Sequence, residues 1–168
     1  METRTYTVYN FEELPRKSQE KALERWREHN DLPFLAEILD DKLATLLEKN
    51  HIHYITEPKV FYSLSCSQGD GAMFEGNFTW DKFPAFNFKV IHSGHYYHYN
   101  SKSITIEDDD GNDAPEEIYN AFNDVYVAIC KKLERAGYDY ADEEDKEENI
   151  KETFKVNEYM FTLDGKIA

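Results

Sequence analysis

Between about residues 52 and 107 the chain is a succession of short strand-like runs separated by turns, and this pattern narrows its folds more than any other feature. Residues 52–66 alternate as a strand pair broken near Glu57-Pro58, with Val60, Tyr62, Leu64 and Cys66 on one face and Phe61, Ser63, Ser65 and Ser67 on the other. Gln68-Gly69-Asp70-Gly71 is a turn whose glycines permit positive φ. Strands follow at 72–80 and 85–92 across the turn Asp81-Lys82-Phe83-Pro84, and at 95–107 after Ser93-Gly94. Strands this short, joined by turns this short, cannot make parallel crossovers, so an antiparallel meander is expected.

Helical periodicity flanks this centre. Pro15 opens a first helix to about residue 29, and Asp31 with Pro33 marks the start of a second. The second carries the stripe Leu35, Ile38, Leu39, Leu43, Leu46 and Leu47. A third begins at Pro115, buries Ile118, Phe122, Val125, Ile129 and Leu133, and is expected to stop at Gly137. Residues 3–9 and 154–163 read as outer strands, and 139–152 as a short solvated helix. The order predicts one α+β domain over residues 1–168, an antiparallel meander with helices mainly on one face.

Charge is segregated along the chain. The total is −15, yet residues 61–106 are neutral and hold 11 of the 25 aromatics, while 107–168 carry 19 acids against 7 bases. Such a surface repels phosphate backbones and anionic bilayers, so direct nucleic-acid and membrane binding are not expected. No apolar run approaches membrane-spanning length and the first residues lack a signal core, which points to a cytoplasmic protein. Cys66 and Cys130 are expected as buried reduced thiols.

Three stretches carry candidate chemistry. In Ser63–Ala72 neither a nucleophile elbow nor a phosphate loop fits: there is no G-x-S-x-G, and no Lys-Ser/Thr pair opens a helix. The segment reads as a hairpin turn or a binding loop around Gln68 and Asp70. In His92-Ser93-Gly94-His95-Tyr96-Tyr97-His98-Tyr99 the histidine spacing invites zinc, but on a strand His95 and His98 point to opposite faces; the other readings are tyrosines and histidines packing on a sheet face with their polar tips wet, or an aromatic surface with Tyr96 and Tyr97 that engages a partner. The loop Asp108, Asp109, Asp110 and Asp113 fails as a calcium hand. Counting from Asp108, position six is Asp113 and position twelve Tyr119, where glycine and glutamate are needed. The band Asp142, Glu143, Glu144, Asp145, Glu147 and Glu148 reads either as a solvated face or as a surface suited to a basic groove. The close carboxylates of the 107–113 loop are expected to attract cations weakly, but no specific metal site and no cofactor is expected.

Val8–Leu14 followed by Lys17–Ala22, together with Ser67-Gln68-Gly69-Asp70-Gly71-Ala72 and Gly94-His95-Tyr96-Tyr97-His98, resembles a family of small acidic phage and prophage proteins, some labelled antitoxin-like. The resemblance covers roughly residues 6–106. It implies a mobile-element protein acting in a bacterial host cytoplasm, and brings no catalytic residues with it. By analogy with anti-CRISPR and related anti-defence proteins, the leading expectation is a non-enzymatic inhibitor. It would bind a host protein with a basic nucleic-acid groove through Asp108–Asp110, Asp113 and the Asp142–Glu148 band, with Gln68, Asp70, Tyr96 and Tyr97 adding specificity. An antitoxin-like neutralising partner is the neighbouring version. A small metal-dependent enzyme using Asp70 with His92, His95 or His98, and a self-associating assembly protein, are the other classes.

Overall fold

The computed structural model describes residues 5–168. After a single 3-10 turn at Phe11–Glu13 come helices α1 (Arg16–His29) and α2 (Leu35–Lys49). Strands β1 (Ile52–Tyr54), β2 (Lys59–Ser63), β3 (Gly71–Trp80), β4 (Phe86–His92) and β5 (Lys102–Asp108) follow, then helices α3 (Glu116–Glu144) and α4 (Glu147–Val156). The fold is α+β with an open antiparallel sheet, as expected. Internal contacts divide the chain into two compact units: Phe34–Asp139, and the described residues up to Pro33 with Tyr140–Ala168.

The larger unit holds the sheet, a meander with β3 central and β4 then β5 beside it. Both β1 and β2 pair with the other edge of β3, in tandem: Tyr54 lies opposite Phe78 and Lys59 opposite Glu75. Four residues, 55–58, therefore face two, and the chain bulges at Pro58, a residue without an N–H to give a ladder. Phe78, Phe88 and Ile106 are direct cross-strand partners, as are Gly76, Val90 and Ile104, so one face presents a continuous apolar surface. The leucines of α2 at 43, 46 and 47 and the α3 residues Ile118, Phe122, Tyr126, Ile129 and Leu133 bury against the strands.

Three local signals do not hold in the fold. Gly137 does not end α3; it is buried in its interior, and an added Cβ would lie 2.3 Å from Leu64 Cδ1. The missing side chain is what lets Leu64 rest on the helix. Asp31 does not cap α2, whose N-cap position is Phe34 with no side-chain capping bond. In the expected helical stripe Val125 is only half-buried, and Tyr126 takes the core position instead. Tyr126 Oη receives the Phe74 N–H (3.1 Å) and donates to the Phe74 carbonyl (2.8 Å). The β3–β4 ladder extends only to Gly76 opposite Val90, so the hydroxyl stands where a neighbouring strand would be.

In the smaller unit Phe11, Leu14, Ala22, Leu23, Ile150, Phe154 and Phe161 form a separate apolar cluster with Trp26 and Tyr159 at its border. Phe154 is its centre, with ring centroids 5.0 Å from Phe161, 5.3 Å from Trp26 and 5.4 Å from Phe11. The expected closing strand from 154 is instead α4 up to Val156, because Ile150 and Phe154, four apart, bury on one helical face. Of the expected 3–9 strand, residues 3 and 4 lie outside the described residues, and within the rest only Tyr9 bridges, to Phe161. No helix among the described residues is long and apolar enough to cross a membrane.

Candidate functional site

Asp70 closes the turn between β2 and β3, and its carboxylate collects donors from both ends of that turn. Ser63 Oγ lies at 3.1 Å, Ser65 Oγ at 3.0 Å, Ser67 Oγ at 3.2 Å and the Ser67 N–H at 3.1 Å. Tyr138, on α3, donates its hydroxyl at 2.6 Å and accepts the Cys66 N–H at 3.2 Å. Ser65 and Ser67 are also 2.8 Å apart, so their two protons serve three contacts. A carboxylate has about four lone-pair sites, and these donors fill them. Desolvation opposes the charge, but the hydrogen bonds from Tyr138, the Ser67 N–H, Ser65 and Ser63 outweigh it and hold Asp70 well below the ordinary carboxylate range. The same bond to Asp70, followed by desolvation, pushes Tyr138 up to about 12. A carboxylate so saturated orders a loop and is a poor general base. The serines at alternate positions ahead of Asp70 are a signal legible in the sequence, whereas Tyr138, 68 residues away, is not.

The two motif segments come together. Gly69 has φ +86°, and a Cβ there would sit 2.5 Å from Tyr96 Cδ1; one on Gly71 would sit 2.9 Å from His98 Cδ2. Residues 93–101 are therefore a loop folded over the β2–β3 turn, and not the start of the expected strand, which begins at Lys102. The tyrosines favour a strand locally, but the glycine-permitted approach of these rings decides the outcome. A cleft of about 500 Å³ runs between the segments, lined by Gln68, Gly69, Asp70, His95, Tyr96 and His98, among others. Tyr96 is 60% exposed beside it. His92 stacks on Phe61 (5.5 Å) and hydrogen-bonds the Tyr96 carbonyl through Nε2 (3.0 Å), and Tyr97 stacks on the same Phe61 (5.4 Å). His98 packs against Tyr99 with the rings tilted and accepts the Asn100 N–H, and His95 lines the cleft as an exposed side chain. Among the described residues no three His, Cys, Asp or Glu side chains gather as a metal site. Replacing Gly69 by alanine is expected to cost about 1–3 kcal/mol through the φ and the Tyr96 collision. Chemical denaturation checks this, with Tyr96→Ala in the same background relieving only the steric part.

The acidic loop has an internal organiser. Asp108 Oδ1 accepts the Asp110 N–H (3.0 Å) and the Asn112 N–H (2.9 Å), while Oδ2 accepts the Asn112 amide (3.2 Å). These bonds, the Asn112 N–H first, lower the Asp108 pKa. Asp113 returns to bridge Glu107, and the Ala114 N–H reaches the Ile106 carbonyl at 2.9 Å. Asp109, Asp110 and Asp113 are left exposed, with Glu107, Glu116 and Glu117 flanking them. None of the ion pairs among the described residues involves these six carboxylates.

The second acidic group belongs to the smaller unit and is partly neutralised there. Glu143 pairs with Lys146 at 2.6 Å, and Glu147 with Lys151 at 2.7 Å and Arg16 at 3.5 Å. Asp142, Glu144, Asp145 and Glu148 make no such pair among the described residues. The thiols also differ from expectation in one respect: Cys130 is buried, its pKa pushed up to about 12 by desolvation, but Cys66 is exposed on the β2–β3 turn with φ +57°. No protein-family model, curated protein or solved structure matches this chain.

Proposed function

We propose that the protein is a non-enzymatic binding protein, of phage or prophage origin, that docks on the basic nucleic-acid groove of a host protein such as a defence nuclease or CRISPR effector. The observation that carries the reading is the corner between β5 and α3. There Asp109, Asp110 and Asp113, on a loop that Asp108 holds in shape, and Glu107, Glu116 and Glu117 flanking it are exposed, without a cationic partner among the described residues. Fixed carboxylates at close spacing present to a basic groove what a phosphate backbone presents, and they speed encounter. Exposed Tyr96 beside the motif cleft supplies the kind of aromatic anchor that dominates interface energies. The saturated hydrogen bonding of Asp70 favours this reading over catalysis by that residue.

The test is capture of nucleic-acid-binding proteins from a bacterial lysate on the immobilised full chain, with salt elution and competition by duplex DNA. Wild type is expected to release its partner with rising salt and with added duplex. The D109K/D110K/D113K variant is expected to retain about tenfold less or worse. Retention indifferent to salt, to duplex and to the charge reversal would sink the proposal.

A further inference from the structure

A second cavity, in the smaller unit, has the opposite electrostatic character. It encloses about 340 Å³ and its walls are Trp26 of α1, Phe161 and Ile167. Arg25, His29 and Lys166 also line it, and no carboxylate does, in a chain with 34 acids against 19 bases. The volume lies at the lower end of the range for small-molecule sites, about 300–1,000 Å³.

The pocket is built into the fold. Gly165, at φ +79°, turns the segment 162–167 so closely onto α1 that a Cβ would lie 2.4 Å from the Ser18 carbonyl oxygen. The turn is then pinned by Ser18 Oγ donating to the Leu163 carbonyl (2.7 Å) and Arg25 donating to the Asp164 carbonyl (3.1 Å). Arg25 gives only one nitrogen to that bond and keeps the rest of its fork. Lys166 Nζ lies 3.5 Å from Asp164 Oδ2, but both side chains are more than half exposed, so the pairing is weak. The Asp164 carboxylate is meanwhile engaged by the Thr162 hydroxyl. His29 Nδ1 donates to the Arg25 carbonyl at 2.9 Å, which leaves Nε2 free. Ile167 is 49% exposed at the mouth.

We propose that this pocket binds a small free organic acid, its aliphatic or aromatic body against Trp26, Phe161 and Ile167 and its carboxylate between Arg25 and Lys166. Apolar walls supply affinity, and two cations lining one pocket select the charge.

Isothermal titration of the full chain with octanoate tests the proposal, with octylammonium as the probe of equal body and opposite charge. Octanoate is expected to bind saturably, with octylammonium at least about tenfold weaker, the scale of one charge-assisted hydrogen bond. Lys166→Gln, an exposed position with little structural cost, is expected to weaken octanoate about five- to tenfold. Ile167→Ala is expected to weaken both probes alike. Octylammonium binding as well as octanoate, or octanoate failing to saturate while the thermal midpoint shows a folded chain, overturns the proposal. Tighter binding of an acetylated dipeptide ending in leucine with a free carboxylate would assign the pocket to a peptide terminus and overturn it as well.

Discussion

Tyr126→Phe lowers the stability of the larger unit by about 3–4 kcal/mol, which for a chain of this size is a fall of roughly 6–16 °C in its midpoint. The volume removed is negligible; the cost comes from what the hydroxyl leaves behind. The Phe74 N–H and carbonyl both end on Tyr126 Oη, inside a core where Phe74 and Tyr126 are each 1% exposed. Without the hydroxyl, a donor and an acceptor stay buried, each costing about 1–3 kcal/mol if unpaired. Burial also drives the Tyr126 pKa far upward, so the group remains a neutral donor and acceptor at any pH of interest. Guanidinium denaturation together with hydrogen exchange at the Phe74 amide checks both halves. A loss under about 1 kcal/mol, with Phe74 still protected, would mean that the strand finds another partner.

The second large effect is at Asp70. Asp70→Asn keeps the shape but turns an amide NH₂ toward a set of donors, and about 2–3 kcal/mol is expected to be lost at pH 7. The pH dependence has a definite sign. Asp70 titrates below the ordinary carboxylate value in the folded chain, so its contribution is complete above the unfolded value of about 4 and fades as pH falls toward the folded one. The gap between wild type and Asp70→Asn should therefore be constant from pH 7 to 5 and close progressively below pH 4. Urea midpoints at pH 7, 5 and 3 measure it, and a gap that does not narrow at all between pH 5 and pH 3 would show that shape, and not charge, holds the turn.

The contrast between these residues explains how much was legible beforehand. Strands β3 and β4, the leucine stripe of α2 and the start of α3 follow from periodicity and turn residues, which are local. Asp70 was recognisable as a turn residue, and Ser63, Ser65 and Ser67 precede it at alternate positions. Tyr138 and Tyr126 reach their partners across 68 and 52 residues, and no local pattern encodes that reach. The loop at 93–101 and the continuation of α3 through Gly137 share one cause. In each, a missing Cβ admits a distant side chain, Tyr96 over Gly69 and Leu64 over Gly137. Read locally, a glycine signals a turn or a stop; read in the fold, it marks a contact. The acidic segments were visible as composition, but their membership in different units and the internal pairing of Glu143 and Glu147 emerge only from the fold.

The return of Asn112–Ala114 against β5 has a bearing on polymerisation. An open sheet exposes the outer edge of its last strand to any other strand, including that of a second copy. Here the Ile106 carbonyl and the Asp108 N–H, at the end of β5, are already taken by the Ala114 N–H and the Asn112 carbonyl. That segment and the turn before it leave Asp109, Asp110 and Asp113 exposed. At this end of β5 an approaching copy meets both occupied backbone groups and its own sign of charge, two devices that keep sheets from joining edge to edge. A partner gripping this corner must therefore use cationic side chains, because the corner offers it little free backbone to extend.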